Sequence, residues 1–155
     1  MDVLDPRCCG LDVILEGSPK QFVFTPNSDT PYEGANIDLT DGPMVVELPP
    51  GARMCVVNDM NQRYVMDMGL PGPDAGKGGK HLILPPGYKG KIPVGYYGGT
   101  PTTNRVLLVR AIPPAGDAQA AIDKLKSIKL YPLNNPAAAS QVTWFAIGDS
   151  TSTSR

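Results

Sequence analysis

Two clusters of polar residues carry the side chains that acid–base chemistry requires. The first follows a short apolar run and contains Asn27, Asp29, Thr30 and Tyr32. The Asp29 carboxylate could act as a base or bind a divalent metal, and the amide, hydroxyl and phenol beside it could orient a ligand. Asn, Asp and Thr side chains also hydrogen-bond to their own backbone in turns, so a structural role is the competing interpretation.

The second cluster surrounds a predicted turn and contains Asn58, Asp59, Asn61, Gln62 and Asp67. Two carboxylates at the ends of separate strands can serve as acid and base if they face one cleft. We therefore expect the first cluster to lie near Asp59 or Gln62 around one concavity, because loops at strand ends commonly carry function. The candidate catalytic residues are Asp29 and Asp59, and the candidate ligand-binding residues are Asn27, Thr30, Tyr32, Asn61, Gln62 and His81.

Other catalytic signatures are weak. His81 is the only histidine, and no Gly-x-Ser-x-Gly elbow supplies a nucleophile for it. A lone histidine at the start of a strand is more commonly a hydrogen-bonded structural residue. The cysteines Cys8, Cys9 and Cys55 have an odd count and no Cys-x-x-Cys spacing, so the sequence predicts neither a disulfide framework nor a zinc site. We expect no cofactor and no resident metal.

The glycine-rich stretch from Gly72 to Lys80 has some features of a phosphate-binding loop. That motif needs two glycines separated by four residues, then Lys and Ser or Thr, between a strand and a helix. Here the spacing is one residue short, Gly78 replaces the hydroxyl, and a predicted strand follows. The stretch instead indicates a cationic surface loop whose glycines adopt positive φ angles.

The charge balance argues against a nucleic-acid partner. The chain has 14 Lys and Arg against 15 Asp and Glu, a net charge of −1, and only 6% of its residues are aromatic. No apolar stretch is long enough to span a membrane. The start of the chain lacks a basic region followed by an apolar core, so a cytoplasmic location is the default expectation.

Short apolar runs separated by turn residues predict a mainly β fold. With 17 Gly and 17 Pro spread between these runs, we expect an antiparallel β-sandwich or jelly-roll-like domain. The predicted strands are 21–24, 34–39, 44–48, 53–58, 62–66, 81–84, 94–97, 105–112 and 142–147, and 105–112 is the most apolar. The run Leu11–Leu15 could be helical or extended.

One α-helix is predicted over residues 117–129. Asp117 can cap it, and apolar residues recur three and four positions apart behind that cap. The expected organisation is an irregular segment over residues 1–20, the β-sandwich domain over 21–148, and a frayed tail over 149–155.

Several segments, in this order and spacing, resemble the domain-of-unknown-function family numbered 1254. The resemblance covers roughly residues 20 to 148, and these segments carry it: Thr25–Tyr32, Asp41–Val45, Asp67–Asp74, Gly76–Gly90 and Lys129–Leu133. It implies a β-sandwich-like domain that is usually followed by a second β-rich domain numbered 1214. It also implies envelope targeting in many members. Members usually have a tryptophan where Asn61 stands, so this chain departs from any aromatic contact made there.

Two functional hypotheses follow. The first is a ligand-binding or assembly module without catalytic activity, either a homo-oligomer or one part of a two-domain protein. The second is a hydrolase or lyase that acts on a small polar molecule through Asp29 and Asp59, with water or a divalent metal. For the first, we expect self-association through the C-terminal strand around Val142, Trp144 and Phe145, because exposed edge strands invite pairing.

Overall fold

The structure is a computed structural model that describes residues 12–15, 30, 32–112, 117–141 and 144–146. In the described part the chain forms ten strands, one α-helix and one 3-10 helix, Pro136–Gln141. The helix, α1, is Ala118–Lys126. The strands are β1 (Asp12–Leu15), β2 (Tyr32–Asp38), β3 (Met44–Leu48), β4 (Met54–Asp59), β5 (Tyr64–Gly69), β6 (Gly79–Ile83), β7 (Tyr96–Gly99), β8 (Arg105–Ala111), β9 (Lys129–Pro132) and β10 (Trp144–Ala146).

The strands form two sheets that share one apolar core. The first sheet has the order β10-β1-β2-β8-β4-β5, and the second has the order β7-β6-β3-β9. Neighbouring strands are antiparallel except for the pairs β1–β10 and β6–β7, which are parallel. The predicted fold class, mainly β with one α-helix, is confirmed. Strand β8 lies in the interior of the first sheet, between β2 and β4, as its apolar character predicts.

Alternation along the strands builds the core. Ala35 and Ile37 of β2, and Val106 and Leu108 of β8, point to the same side of the first sheet and are fully buried. The second sheet contributes residues such as Val46 and Ile83 to the same cluster, so the two sheets pack face to face. The opposite face of the second sheet buries Val45, Leu82, Leu84 and Tyr131 in a smaller cluster.

Helix α1 closes the core with one apolar face. Asp117 is its N-cap and accepts a hydrogen bond from the Ala120 backbone N–H at 3.0 Å. Leu125 is fully buried in the main cluster, as the three- and four-residue spacing predicts. The helix ends at Lys126, three residues before its predicted end, because the chain turns at Ser127 and pairs with β3 as strand β9.

Short strands lie near both ends of the chain, and one of them falls in a segment that was expected to be irregular. The undecided run Leu11–Leu15 contains strand β1, which pairs with β2 and β10 within the segment expected to be irregular. Strand β10 is an edge strand of the first sheet, and self-association through it stays a prediction. The predicted strand 21–24 lies outside the described residues.

Candidate functional site

Asp59 is the centre of a hydrogen-bond network at one end of the first sheet. Its Oδ1 accepts from the backbone N–H groups of Asn61 at 2.9 Å and Arg63 at 3.0 Å. Its Oδ2 accepts from the Thr102 backbone N–H at 3.1 Å and from the Thr102 hydroxyl. The buried carboxylate therefore ties the turn between β4 and β5 to the loop that precedes β8.

These donors make Asp59 a weak base. The hydrogen bond from the Thr102 hydroxyl, helped by the backbone donors, lowers the pKa of Asp59 to about 2. A carboxylate that accepts four hydrogen bonds has little capacity left for a substrate proton or a metal ion. This geometry favours a structural role, so catalysis by Asp59 stays a prediction without support from its contacts.

Asn61 and Gln62 are exposed in the turn that Asp59 holds. The Asn61 side-chain amide lies 3.4 Å from the Thr102 hydroxyl. Gln62 has a φ of 60°, in the left-handed region, because the turn closes through a hydrogen bond from its N–H to the Asp59 carbonyl at 3.0 Å. Both residues thus lie beside Asp59, as their sequence proximity predicts.

The strand register separates this turn from Tyr32, one of the two described members of the first polar cluster. Tyr32 pairs with Ala111, whereas Asp59 pairs with Val106, which also pairs with Ile37. Five residues of extended chain lie between those rows, which is about 17 Å at about 3.4 Å per residue. Thr30 and Tyr32 are half-buried and lie near the opposite end of the sheet from Asp59. Asn27 and Asp29 lie outside the described residues, so their roles stay predictions.

His81 lies between the two sheets rather than at a surface. It is fully buried, and its Nε2 lies 3.2 Å from Asp74 Oδ1. Its ring stacks on Tyr97, with 5.1 Å between the ring centroids. Burial lowers the pKa of His81, and the Asp74 carboxylate opposes that shift. The neutral ring can donate from Nε2 to Asp74, which also accepts from the Gly69 N–H at 2.7 Å.

A buried ion pair lies on the inner face of the first sheet. Arg110 Nη2 donates to Glu33 Oε1, and both side chains are completely buried. The two residues are direct cross-strand neighbours in β2 and β8. Sequence reasoning missed this pair, although strand alternation carried the signal. Glu33 shares its side of β2 with Ala35 and Ile37, and Arg110 shares its side of β8 with Leu108.

Cys55 is a buried neighbour of this ion pair. It pairs with Arg110 across β4 and β8. Burial raises the pKa of the Cys55 thiol to about 12, although the nearby Arg110 and Arg53 guanidinium groups oppose the shift. The side chain is therefore a protonated thiol at neutral pH and a poor nucleophile.

Arg53 ties the turn between β3 and β4 to the end of α1. Its Nη1 donates to the carbonyls of Pro49 at 2.6 Å and Pro50 at 2.7 Å, and its Nη2 donates to Ser127 Oγ at 3.1 Å. Gly69, the last residue of β5, has a φ of 79°, and a Cβ there would lie 2.2 Å from the Arg53 carbonyl oxygen. The end of β5, where the glycine-rich loop begins, thus packs directly on the backbone that precedes β4.

The described interior holds no group of three or more His, Cys, Asp or Glu side chains arranged to bind a metal ion. No helix among the described residues is long and apolar enough to cross a membrane. Among the described residues, Glu33, Asp59 and Asp74 each accept hydrogen bonds from other parts of the chain, and these contacts join separate strands and loops. The most unusual feature of the described residues is a group of apolar side chains on the surface.

Residues 86–95 form a continuous exposed segment between β6 and β7, which we name the apolar–basic loop. The Val94 side chain is fully exposed, with 103% of its reference area, and Ile92 is 44% exposed. Lys89 and Lys91 precede these aliphatic side chains in the sequence and are also exposed. Tyr88 in the loop and Tyr97 behind it keep 37% of their surface exposed.

The charge around this loop is of one sign. Residues 75–104 contain Lys77, Lys80, Lys89 and Lys91 and no Asp or Glu, in a chain whose net charge is −1. The parallel pairing of Lys80 with Tyr96 puts the end of the loop beside the residues that precede β6. The Lys80 ammonium lies 5.6 Å from the centre of the Tyr96 ring. The sequence contains this stretch without acidic residues, but the net charge of the whole chain gives no sign of it.

Comparisons with known proteins agree on the family and the fold. The family described as "Protein of unknown function (DUF1254)" matches residues 15–132, more than half of the chain. No curated protein matches the sequence. The crystal structure of the VPA0106 protein from Vibrio parahaemolyticus is similar, with a TM-score of 0.64 and 19% identity over 72% of this chain. The match covers 30% of that chain, so this chain spans less than a third of its neighbour's length.

Proposed function

We propose that this chain, which belongs to the DUF1254 family, is a non-catalytic docking module that binds a large partner through the apolar–basic loop. The observation that carries the proposal is the complete exposure of Val94 beside the exposed Ile92. Apolar side chains that cluster on a surface and are rimmed by polar residues commonly mark an interaction site.

The buried polar residues support binding rather than catalysis. Asp59 accepts four hydrogen bonds, and its low pKa makes it a weak base. The Cys55 thiol is buried and protonated at neutral pH. Glu33 and Arg110 bind each other inside the core. Proton transfer needs a side chain that faces the substrate, and these four groups instead lie buried against other parts of the chain.

The exposure of the loop supports a macromolecular partner. All residues from 86 to 95 are exposed, so the segment offers a continuous accessible surface. Small-molecule sites are usually clefts that bury most of the ligand surface. A run of ten exposed residues is better matched to a surface larger than itself.

Photocrosslinking in intact cells that produce the chain tests this proposal. A photoreactive benzophenone side chain introduced at Val94 should form an adduct, identified by mass spectrometry, with whatever covers the loop. The same group introduced at Gln119, an exposed position on α1, is the control. An adduct at Val94 well above the control level supports the docking function. Equal or absent adducts at the two positions would show that nothing covers the loop.

A further inference from the structure

We propose that the surface bound by the apolar–basic loop is an anionic lipid bilayer, which the module contacts from one side without crossing it. This inference rests on the docking function proposed above and adds the identity of the partner. Val94 and Ile92 would enter the headgroup–acyl boundary, and Lys89 and Lys91 would contact lipid phosphates.

Charge complementarity is the first argument. Four lysines lie within residues 75–104 without any acidic residue among them, so this part of the surface attracts anions. The nearest acidic side chain by strand register is Glu47, which pairs with Lys80 in the second sheet. Glu47 accepts a hydrogen bond from the Tyr131 hydroxyl at 2.7 Å, and it lies on β3 rather than on the loop. Lys89 and Lys91 therefore dominate the charge of the loop itself.

The combination of residue types is the second argument. Aliphatic side chains next to lysines, with tyrosines beside them, match the layered polarity of a membrane interface. Lysine stems can lie along the apolar region while their ammonium groups reach the phosphates. Tyr88 and Tyr97 are amphipathic and partly exposed, as residues at headgroup level are.

A second copy of this chain fits the loop poorly. In a two-fold symmetric contact the same patch faces itself, so Lys89 and Lys91 would approach their own copies. Like charges brought together at an interface oppose association. A folded protein partner would also need a surface complementary to this segment, whereas a fluid bilayer adapts to the shape of the residues that contact it.

Vesicle co-sedimentation tests the inference. We expect the chain to bind phosphatidylcholine vesicles that contain about 30% phosphatidylglycerol, to ignore pure phosphatidylcholine vesicles, and to lose binding as salt is raised. Val94→Ser should weaken partitioning roughly tenfold, and Met60→Ser, at another exposed apolar position, should leave it unchanged.

A charge-matched pair of variants separates the loop from general electrostatics. Lys89→Gln with Lys91→Gln should weaken partitioning about thirtyfold, because each lysine near an anionic surface contributes about fivefold. Lys124→Gln with Lys126→Gln removes the same charge from exposed positions on α1 and should have a much smaller effect. Unchanged circular dichroism and melting temperature would show that every variant remains folded.

Three outcomes would overturn the lipid assignment. One is equal binding to neutral and anionic vesicles, and another is anionic binding that both charge variants reduce equally. The third is absence of vesicle binding. In that case, binding of polyglutamate through Lys89 and Lys91 would indicate an acidic protein partner, and a dimer that Val94→Ser dissociates would indicate a second copy of the chain. A protein adduct at Val94 together with no vesicle binding would leave the docking function standing and remove only the lipid. A lipid adduct would support both.

Discussion

The interior between the two sheets and the loop between β6 and β7 reverse the usual distribution of polar and apolar side chains. In the interior, Glu33, Arg110 and His81 are completely buried. In the loop, Val94 is fully exposed and Ile92 is close to half exposed. The buried groups have partners within the chain, whereas the Val94 side chain lies in solvent and Ile92 packs only one side against Gly98 of β7. A buried polar side chain that has a partner within the chain is explained by the fold itself. An apolar side chain left in solvent is not, and it therefore points to a partner outside the chain.

Removing one member of the buried ion pair should have the largest effect. Arg110→Ala would leave the Glu33 carboxylate buried beside a cavity, and we expect it to lower the free energy of unfolding by about 3–5 kcal/mol. Urea denaturation followed by circular dichroism measures this loss. Glu33→Leu combined with Arg110→Met should restore much of the stability, because apolar residues of similar size can replace a buried pair. A loss below about 1 kcal/mol would mean that the pair is not a structural element.

The same glycine substitution in both regions should have different costs. Gly69 and Gly87 have φ angles of 79° and 76°, so alanine strains the backbone at either position. At Gly69 the new Cβ would also lie 2.2 Å from the Arg53 carbonyl oxygen, whereas at Gly87 nothing lies within 4 Å. We expect Gly87→Ala to cost about 1 kcal/mol and Gly69→Ala clearly more, measured as urea midpoints. Equal costs would contradict the tight packing at the start of the glycine-rich loop.

His81 should make the stability of the interior depend on pH. Burial lowers its folded-state pKa below the ordinary value of about 6.5, so the unfolded chain binds the proton more readily. Stability is therefore greatest above about pH 6.5 and falls as the pH drops from there towards the folded-state pKa. Unfolding measured at closely spaced pH values in that range should show the slope. The slope should be absent in His81→Gln, and a slope retained in that variant would assign it to another group.

The smallest effect on stability is expected in the loop. Val94→Ser should change the free energy of unfolding by less than about 0.5 kcal/mol, because the side chain is fully exposed and does not pack in the core. The melting temperature measured by calorimetry checks this prediction, with Leu125→Ala as the matched core control. Leu125 is fully buried, so its truncation should cost about 2–5 kcal/mol. A large loss in Val94→Ser would show that the valine packs within its own chain.

The features predictable from the sequence were those that local patterns determine. Strand β3 begins and ends at its predicted residues, Met44 and Leu48, because turn residues bound an apolar run on both sides. The predicted helix continued to Lys129 because Ile128 prolongs the apolar spacing, although the chain has already left the helix at Ser127. Pairing with β3 decides this boundary, and local spacing does not contain that information.

The candidate site was harder to predict because its contacts join distant parts of the chain. Asp59 was selected for its carboxylate, but Thr102, 43 residues away, determines its pKa. Asp74 was not selected as a candidate, because its contact with His81 depends on the burial of both side chains. Exposure of Val94 likewise depends on what surrounds it in space. Residue types indicate which groups could act, while long-range pairing decides which of them are available.

The position of β8 inside the first sheet has a consequence for how the protein is made. Glu33 and Arg110 are 77 residues apart, so β2 through β7 are synthesised before the strand that joins β2 to β4. Until then, both of those strands have an unpaired edge, and the Glu33 carboxylate stays hydrated. Insertion of β8 out of register by one residue would turn Arg110 away from Glu33. We therefore expect the ion pair to disfavour a shifted register at the step in which β8 inserts and covers both open edges.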